Sequence, residues 1–253
     1  MNFIKFLGTA GARFVMIRQL RASGGIWFEI NDTKLLVDPG PGSLVRVNKS
    51  RPPLKLSELD GIFISHKHID HTNDVNVIIE AMTDGGFKKK GVLLCPAEAI
   101  ENPPVIFPYA AELVEKVEIL KEHSQYFVKN LKLGVPLKLR HLAETYGFIL
   151  ESDGIPSIGY IPDTEFFPEI IDAYSKTKIV IINVVFSQPR PGIMHLSLPE
   201  ALEIISGIKP QKAILTHFGM TMLKERIWEK TGQLSEKLSI DIIAASDGMT
   251  FEL

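Results

Sequence analysis

Three histidines and one aspartate fall within six residues, His66-Lys67-His68-Ile69-Asp70-His71. Imidazole nitrogens and a carboxylate are the donors that divalent transition metals take from proteins when thiolates are lacking. The single cysteine, Cys95, rules out an internal disulfide and any multi-thiolate zinc site. It closes an apolar run with no histidine beside it in sequence, which reads as an inert buried thiol. One histidine cluster is compatible with chance or a proton relay. A metal centre needs further ligands from elsewhere in the chain.

The elements that would position the cluster follow from periodicity and turn chemistry. Gly61–Ser65 reads as a buried strand that delivers His66, and Asn73 reads as the N-cap of a helix over Val75–Met82. Strands are expected over 3–7 and 26–37, the latter folded at Asn31-Asp32 and closed by Asp38-Pro39-Gly40-Pro41-Gly42. Asp38, at a strand end, is either a turn residue or a partner that orients a ligand histidine. Residues 8–25 carry Arg13 and Arg18. They read either as a flexible loop with solvated arginines or as a loop that offers those two to a substrate anion. The stretch 101–116, with three prolines, reads as an irregular excursion. Downstream, strands are expected over Val117–Leu120, Phe127–Leu133, Leu137–Arg140, Tyr146–Glu151, Ser157–Ile161, Lys178–Asn183 and Lys212–Thr216. Helices are expected from Asp163-Thr164 through Ala173, over Leu198–Ser206 with Pro199 at its first turn, and over 221–238 as the longest. Closing strands fall at Ile240–Ala244 and Met249–Leu253.

At 253 residues, with 45% hydrophobic and 23% charged residues, the chain suits a soluble α/β protein with a sizeable core. No linker or low-complexity tract divides it, so one domain over 1–253 is expected. A net charge of −2 gives no reason to expect a nucleic-acid polyanion as the main partner. The N-terminus lacks a signal core and no apolar run reaches spanning length, which fits a cytoplasmic enzyme with no membrane partner.

Seven histidines occur, at 66, 68, 71, 123, 141, 195 and 217. His66, His141 and His217, with Asp163, each follow directly or nearly so on an apolar strand-like run. His195 comes from a proline- and glycine-rich loop. Donors at the ends of neighbouring strands converge on one sheet edge, where the sites of layered α/β proteins form. His123 belongs to no motif and reads as a surface residue.

Taken together, these residues resemble the metallo-β-lactamase superfamily. His66-x-His68-x-Asp70-His71 is its signature, and three later segments match its later motifs in order. These are His141 with Glu144-Thr145-Tyr146-Gly147-Phe148, Tyr160-Ile161-Pro162-Asp163-Thr164, and Leu215-Thr216-His217-Phe218. The resemblance covers essentially the whole chain and implies a four-layer αββα sandwich with a dinuclear site. It implies that His66, His68 and His141 hold one ion, Asp70, His71 and His217 the other, and that Asp163 lies between them. Zinc is the first choice, with manganese or iron open.

Within the superfamily, Asp163 stands where many β-lactamases place a cysteine. His195-Leu196-Ser197-Leu198-Pro199-Glu200 is similar to a segment of the phosphodiesterase branch, which contains tRNase Z and a phosphoribosyl cyclic phosphodiesterase. No long insertion between Asp163 and His195 matches the arm that grips tRNA, and the accessory-site cysteines of the cyclic phosphodiesterase are missing. The resemblance thus implies a hydrolase of a small cyclic or nucleotide-like phosphodiester, using a hydroxide shared by two metals. Asp70 would orient it, and His195 would bind the phosphate or protonate the leaving oxygen. The alternatives are a lactonase- or thioesterase-type hydrolase and a non-hydrolytic metal-binding sensor. The expected partner is a small phosphorylated substrate rather than a long tRNA, and a homodimer is open.

Overall fold

The computed structural model describes residues 2–253. Two mixed seven-stranded sheets face each other. Across the first run Thr250–Glu252, Phe3–Phe6, Ile26–Ile30, Thr33–Val37, Gly61–Phe63, Val92–Cys95 and Lys116–Ile119. Across the second run Asp241–Ala244, Lys212–Thr216, Ile179–Asn183, Ile158–Ile161, Phe148–Glu151, Leu131–Val135 and Ser124–Val128. Each sheet has an antiparallel flank and a parallel block of four strands. Parallel strands need both faces covered, and these read as unbroken apolar runs for that reason. Ile179–Asn183 and Ile158–Ile161 are buried at every position.

Three apolar layers result. The central one joins the sheets through Phe28, Phe63, Phe148 and Tyr160, with Phe63 and Phe148 edge to face at 4.8 Å. Such a pair adds roughly 0.5–1.5 kcal/mol beyond burial itself. The outer layers seat helices: Val75–Met82 and Pro108–Leu113 against the first sheet, Glu169–Tyr174 and Leu198–Ile208 against the second. This is the αββα sandwich expected from the sequence. No described helix is long and apolar enough to cross a membrane.

Local departures have local causes. Residues 8–25 contain a helix, Ala12–Ile17. The expected single strand over Phe127–Leu133 is a hairpin, turned at Lys129 with φ +45°. The helix expected from Asp163-Thr164 begins only at Glu169, behind Pro168, because Asp163 is turned inward. Asp74, not Asn73, precedes Val75–Met82. The helix expected over 221–238 is broken at Arg226, φ +51°, into Met220–Lys224, Ile227–Glu229 and Thr231–Leu238, which leaves Leu198–Ile208 the longest. The 101–116 stretch supplies Pro108–Leu113 to the outer layer through Ile106, Ala110 and Val114, so its role is cover for the sheet.

Candidate metal centre

The parallel strands of both sheets end at one edge, and the chemistry-bearing side chains leave from those ends. Val37 leads to Asp38, Phe63 to Ser65 and His66, Ile161 to Asp163, and Thr216 to His217. His66, His68 and His141 bring ligand atoms within 4.8 Å of one another, as do Asp70, His71, Asp163 and His217, and as do His141, Asp163 and His195. Asp163 belongs to two of these sets. Its Oδ2 lies 3.4 Å from His195 Nδ1, 3.5 Å from His71 Nε2 and 4.0 Å from His66 Nε2, and its Oδ1 lies 3.3 Å from His217 Nε2. All seven sequence-expected ligands and His195 therefore meet at one place.

Polar groups behind the imidazoles decide which nitrogen faces inward. Ser65 donates its only hydroxyl proton to Asp38 Oδ2 at 2.7 Å, so towards His66 Nδ1, at 3.0 Å, it accepts. His71 Nδ1 donates to Asp38 at 3.0 Å, and His141 Nδ1 to the Met194 carbonyl at 2.8 Å. In each neutral ring the proton is spent outward and the Nε2 lone pair points in. His66 Nε2 and His141 Nε2 stand 3.0 and 3.1 Å from His68 Nδ1, which has at most one proton for two acceptors. His71 Nε2 and His217 Nε2 are buried with no hydrogen-bond partner. Converging lone pairs without protons are costly unless a cation binds them, and the all-N/O donor set suits a borderline divalent ion. The residues fit the ions that the sequence resemblance implies.

The carboxylates draw positive charge into the same place, and where no cation supplies it a proton on His71 does. Burial opposes charge on Asp163, but His217, His195 and His71 outweigh it and hold its carboxyl well below the usual range. Burial leads the effects that keep His66 well below the histidine range. On His71 burial is overcome by Asp70, Asp38 and Asp163, which hold it well above that range.

Asp38 is the hub behind the centre. Its carboxylate accepts the Ser65 N–H and O–H, the Tyr160 hydroxyl at 2.7 Å and His71 Nδ1. Burial and Asp38 itself hold the Tyr160 phenol far above its usual range, so it stays a donor. Asp38 and His217 both take left-handed φ, +50° and +60°, a strain of roughly 1–3 kcal/mol each that the packing around them sustains. Gly40 permits the turn behind them: a Cβ there would stand 1.9 Å from the Asp70 carbonyl oxygen. Asp38→Asn puts an amide against these four donors. It should weaken metal affinity about 10–100-fold, with activity restored by excess metal, measured by titration against a chelator. Unchanged affinity would show that Asp38 is only a turn residue.

The two arginines lie on, and at the end of, one short helix. The Ala12–Ile17 helix leans over the centre, tied by Gly11 N–H to the Phe218 carbonyl and by Phe218 N–H to that of Thr9. Arg13 is exposed on it, and Arg18 lies 5.9 Å over the Phe14 ring. Neither guanidinium makes an ion pair among the described residues, where only Arg140 and Arg226 do so. His123 sits exposed in a turn at φ +57°. Burial pushes the Cys95 thiol up to about 12, so it is inert. Three contributors escaped the sequence reading. Asn183 donates to Asp163 at 2.9 Å, Tyr160 donates to Asp38, and Arg190 stacks 4.4 Å over Phe186 beside His195. For Asn183 there was a signal, a polar residue closing an apolar strand.

With this geometry in place, similarity to known proteins acquires meaning. Residues 33–218, which hold every donor of the centre, match the family described as the beta-lactamase superfamily domain. The chain is 32% identical to the uncharacterized protein MJ1374 of Methanocaldococcus jannaschii, over 99% of this chain and 94% of that protein. It is 23% identical to a ribonuclease Z of Staphylococcus epidermidis, over 66% of this chain and 49% of the relative. Among solved structures, the metallo-β-lactamase fold protein YhfI of Bacillus subtilis shares the fold with a TM-score of 0.79 at 19% identity, covering 99% of this chain and 98% of that one.

Proposed function

The chain belongs to the beta-lactamase superfamily, and from that premise we propose that it is a metal-dependent hydrolase of phosphodiesters. The observation that carries the proposal is Asp163. This buried carboxylate is shared by two donor sets, in a centre with no thiolate and with His195 at its side. Both sheets contribute donors, which supports reading residues 1–253 as one functional domain.

His66, His68 and His141 would hold one ion, Asp70, His71 and His217 the other, with Asp163 between. When bound, such ions polarise phosphoryl oxygens and make water acidic enough to attack at neutral pH. The chain's own residues supply the rest. Asp70, whose Oδ2 lies 3.6 Å from His217 Nε2 and 3.8 Å from His71 Nε2, accepts a hydrogen bond from the attacking water and orients it. Asn183 and the histidines fix the Asp163 carboxylate. His195, partly exposed, reaches the substrate side and hydrogen-bonds the phosphate or protonates the leaving oxygen. The similarity to a ribonuclease Z favours phosphorus over carbonyl carbon as the electrophile.

The test is a panel on metal-reconstituted protein: bis(p-nitrophenyl) phosphate, nitrocefin, a homoserine lactone and a thioester. Phosphodiester turnover should lead. A leading lactone or thioester would replace the proposal with a carbonyl hydrolase. Silence across the panel with two ions bound would replace it with a sensor.

A further inference from the structure

Beside the centre, outside every donor set, the structure has an apolar slot of about 90 Å³ lined by Phe14, Val15, Phe186, Arg190 and Met220. Phe14 is 58% exposed and Met220 38%, although both are large apolar side chains at the mouth of a candidate active site. Exposed apolar area of this kind is recovered only when something covers it. Phe186 already has one partner. The Arg190 guanidinium lies 4.4 Å from its ring centroid, and the pair forms a flat, cationic plate. Arg190 pairs with no carboxylate among the described residues. The plate adjoins the chemistry directly, since the Phe186 ring stands edge-on to His195 with centroids 6.2 Å apart, and His195 Nδ1 is 3.4 Å from Asp163.

The slot cannot drift from the centre. Gly11, in its wall, lies so close to the loop after Lys212–Thr216 that a Cβ would meet the His217 carbonyl oxygen at 2.0 Å. The Phe14 helix is thereby joined to a ligand-bearing loop.

We infer that this slot binds the planar heterocyclic base of a nucleotide substrate, stacked between Phe14 and the Phe186–Arg190 plate. This deepens the phosphodiesterase reading and rests on it. An aliphatic ligand would bury Phe14 and Met220 but would leave the cationic plate unused. A bare sugar phosphate would leave the exposed phenylalanine uncovered. A nucleobase uses both, because its π-face stacks on any aromatic ring and its electron-rich edge accepts from a guanidinium. The slot is one side chain from His195, as a base is one sugar from its phosphate.

The experiment is calorimetric titration of the metal-loaded protein with adenosine 5′-monophosphate and, separately, with ribose 5-phosphate. Stacking implies that the nucleotide binds at least about tenfold tighter than the sugar phosphate. Phe14→Ala and Arg190→Gln should each remove most of that preference and leave ribose 5-phosphate binding unchanged. Both side chains are exposed, so neither variant threatens the fold, and circular dichroism checks it. Equal affinity for the two ligands in the unaltered protein would overturn the inference, as would full preference in both variants. Hydrolysis of bis(p-nitrophenyl) phosphate, followed in parallel, separates the two claims. Base preference without hydrolysis upholds the slot and fails the phosphodiesterase reading, and hydrolysis without preference does the reverse.

Discussion

Asp163→Ala protein should bind at most one metal ion tightly per chain and lose phosphodiester hydrolysis by about 10³-fold or more. The magnitude follows from what the ions contribute. Several kcal/mol of charge stabilisation, at about 1.4 kcal/mol per decade, is about three decades of rate. The geometry says why this residue should be so sensitive. Asp163 is 2% exposed and its two oxygens face four imidazoles and the Asn183 amide. Without the carboxylate, Asp70 still faces His71 and His217 but no anionic side chain reaches both His66 and His217, so two ions held there would lose the charge they share. His68→Ala is the companion variant. His68 is only half-buried and touches the His66 and His141 side alone, so it should fold normally. It should keep one ion, on Asp70, His71 and His217, and still lose hydrolysis. Elemental analysis beside a rate measurement decides both. Full activity in His68→Ala would end the dinuclear reading, and two ions in Asp163→Ala would end the shared role of that carboxylate.

How much of this was legible in the sequence depends on whether a feature's cause is local. The buried parallel strands announce themselves because both faces are apolar, so Ile158–Ile161, Ile179–Asn183 and Lys212–Thr216 stand out as runs, and the donors at their ends could be gathered before any coordinates. The order His66, His141, Asp163, His217 also implied the fold through its family resemblance. Illegible features have distant causes. Nothing in Tyr160-Ile161-Pro162 says that the phenol reaches Asp38 across 122 residues. Ser65 is a signal only once Asp38 is known to face it. The break at Arg226 and the late start at Glu169 come from a left-handed residue and from Asp163 being drawn inward, both tertiary decisions that override helical periodicity. Residues 8–25 hold helix formers such as Arg13 and Met16 between glycines at 8, 11, 24 and 25, and the place of their short helix is set by backbone bonds from Thr9 and Gly11 to Phe218, a contact no local pattern shows. Arg13 and Arg18 stand out by charge and position in that loop. Arg190, held between two prolines in the loop that carries His195, stacks on the Phe186 ring beside that histidine, which no local pattern shows.

That loop gives His195 its own expected result: His195→Ala should retain both ions yet lower kcat by about 10²–10⁴-fold on diesters with alkyl leaving groups. The imidazole is placed with care. Its neighbour Met194 receives the His141 Nδ1 proton through its carbonyl, and two residues on, Ser197 N–H and O–H both donate to Glu200 at 2.7 and 2.6 Å to clamp the helix start. A side chain fixed from both sides, 19% exposed and 3.4 Å from Asp163, is positioned to face substrate. Its Nδ1 also lies in a donor set with His141 and Asp163, so a ligand role is the rival. Metal content separates them, since a lost ligand costs an ion and a lost acid does not. Leaving-group dependence separates acid from mere binding. p-Nitrophenolate departs without a proton, so an acid's removal should matter far less for bis(p-nitrophenyl) phosphate than for a dinucleotide. A deficit of the same size on both substrates, with two ions bound, would assign His195 to holding the phosphate, because a hydrogen bond to a phosphoryl oxygen is needed whatever group leaves.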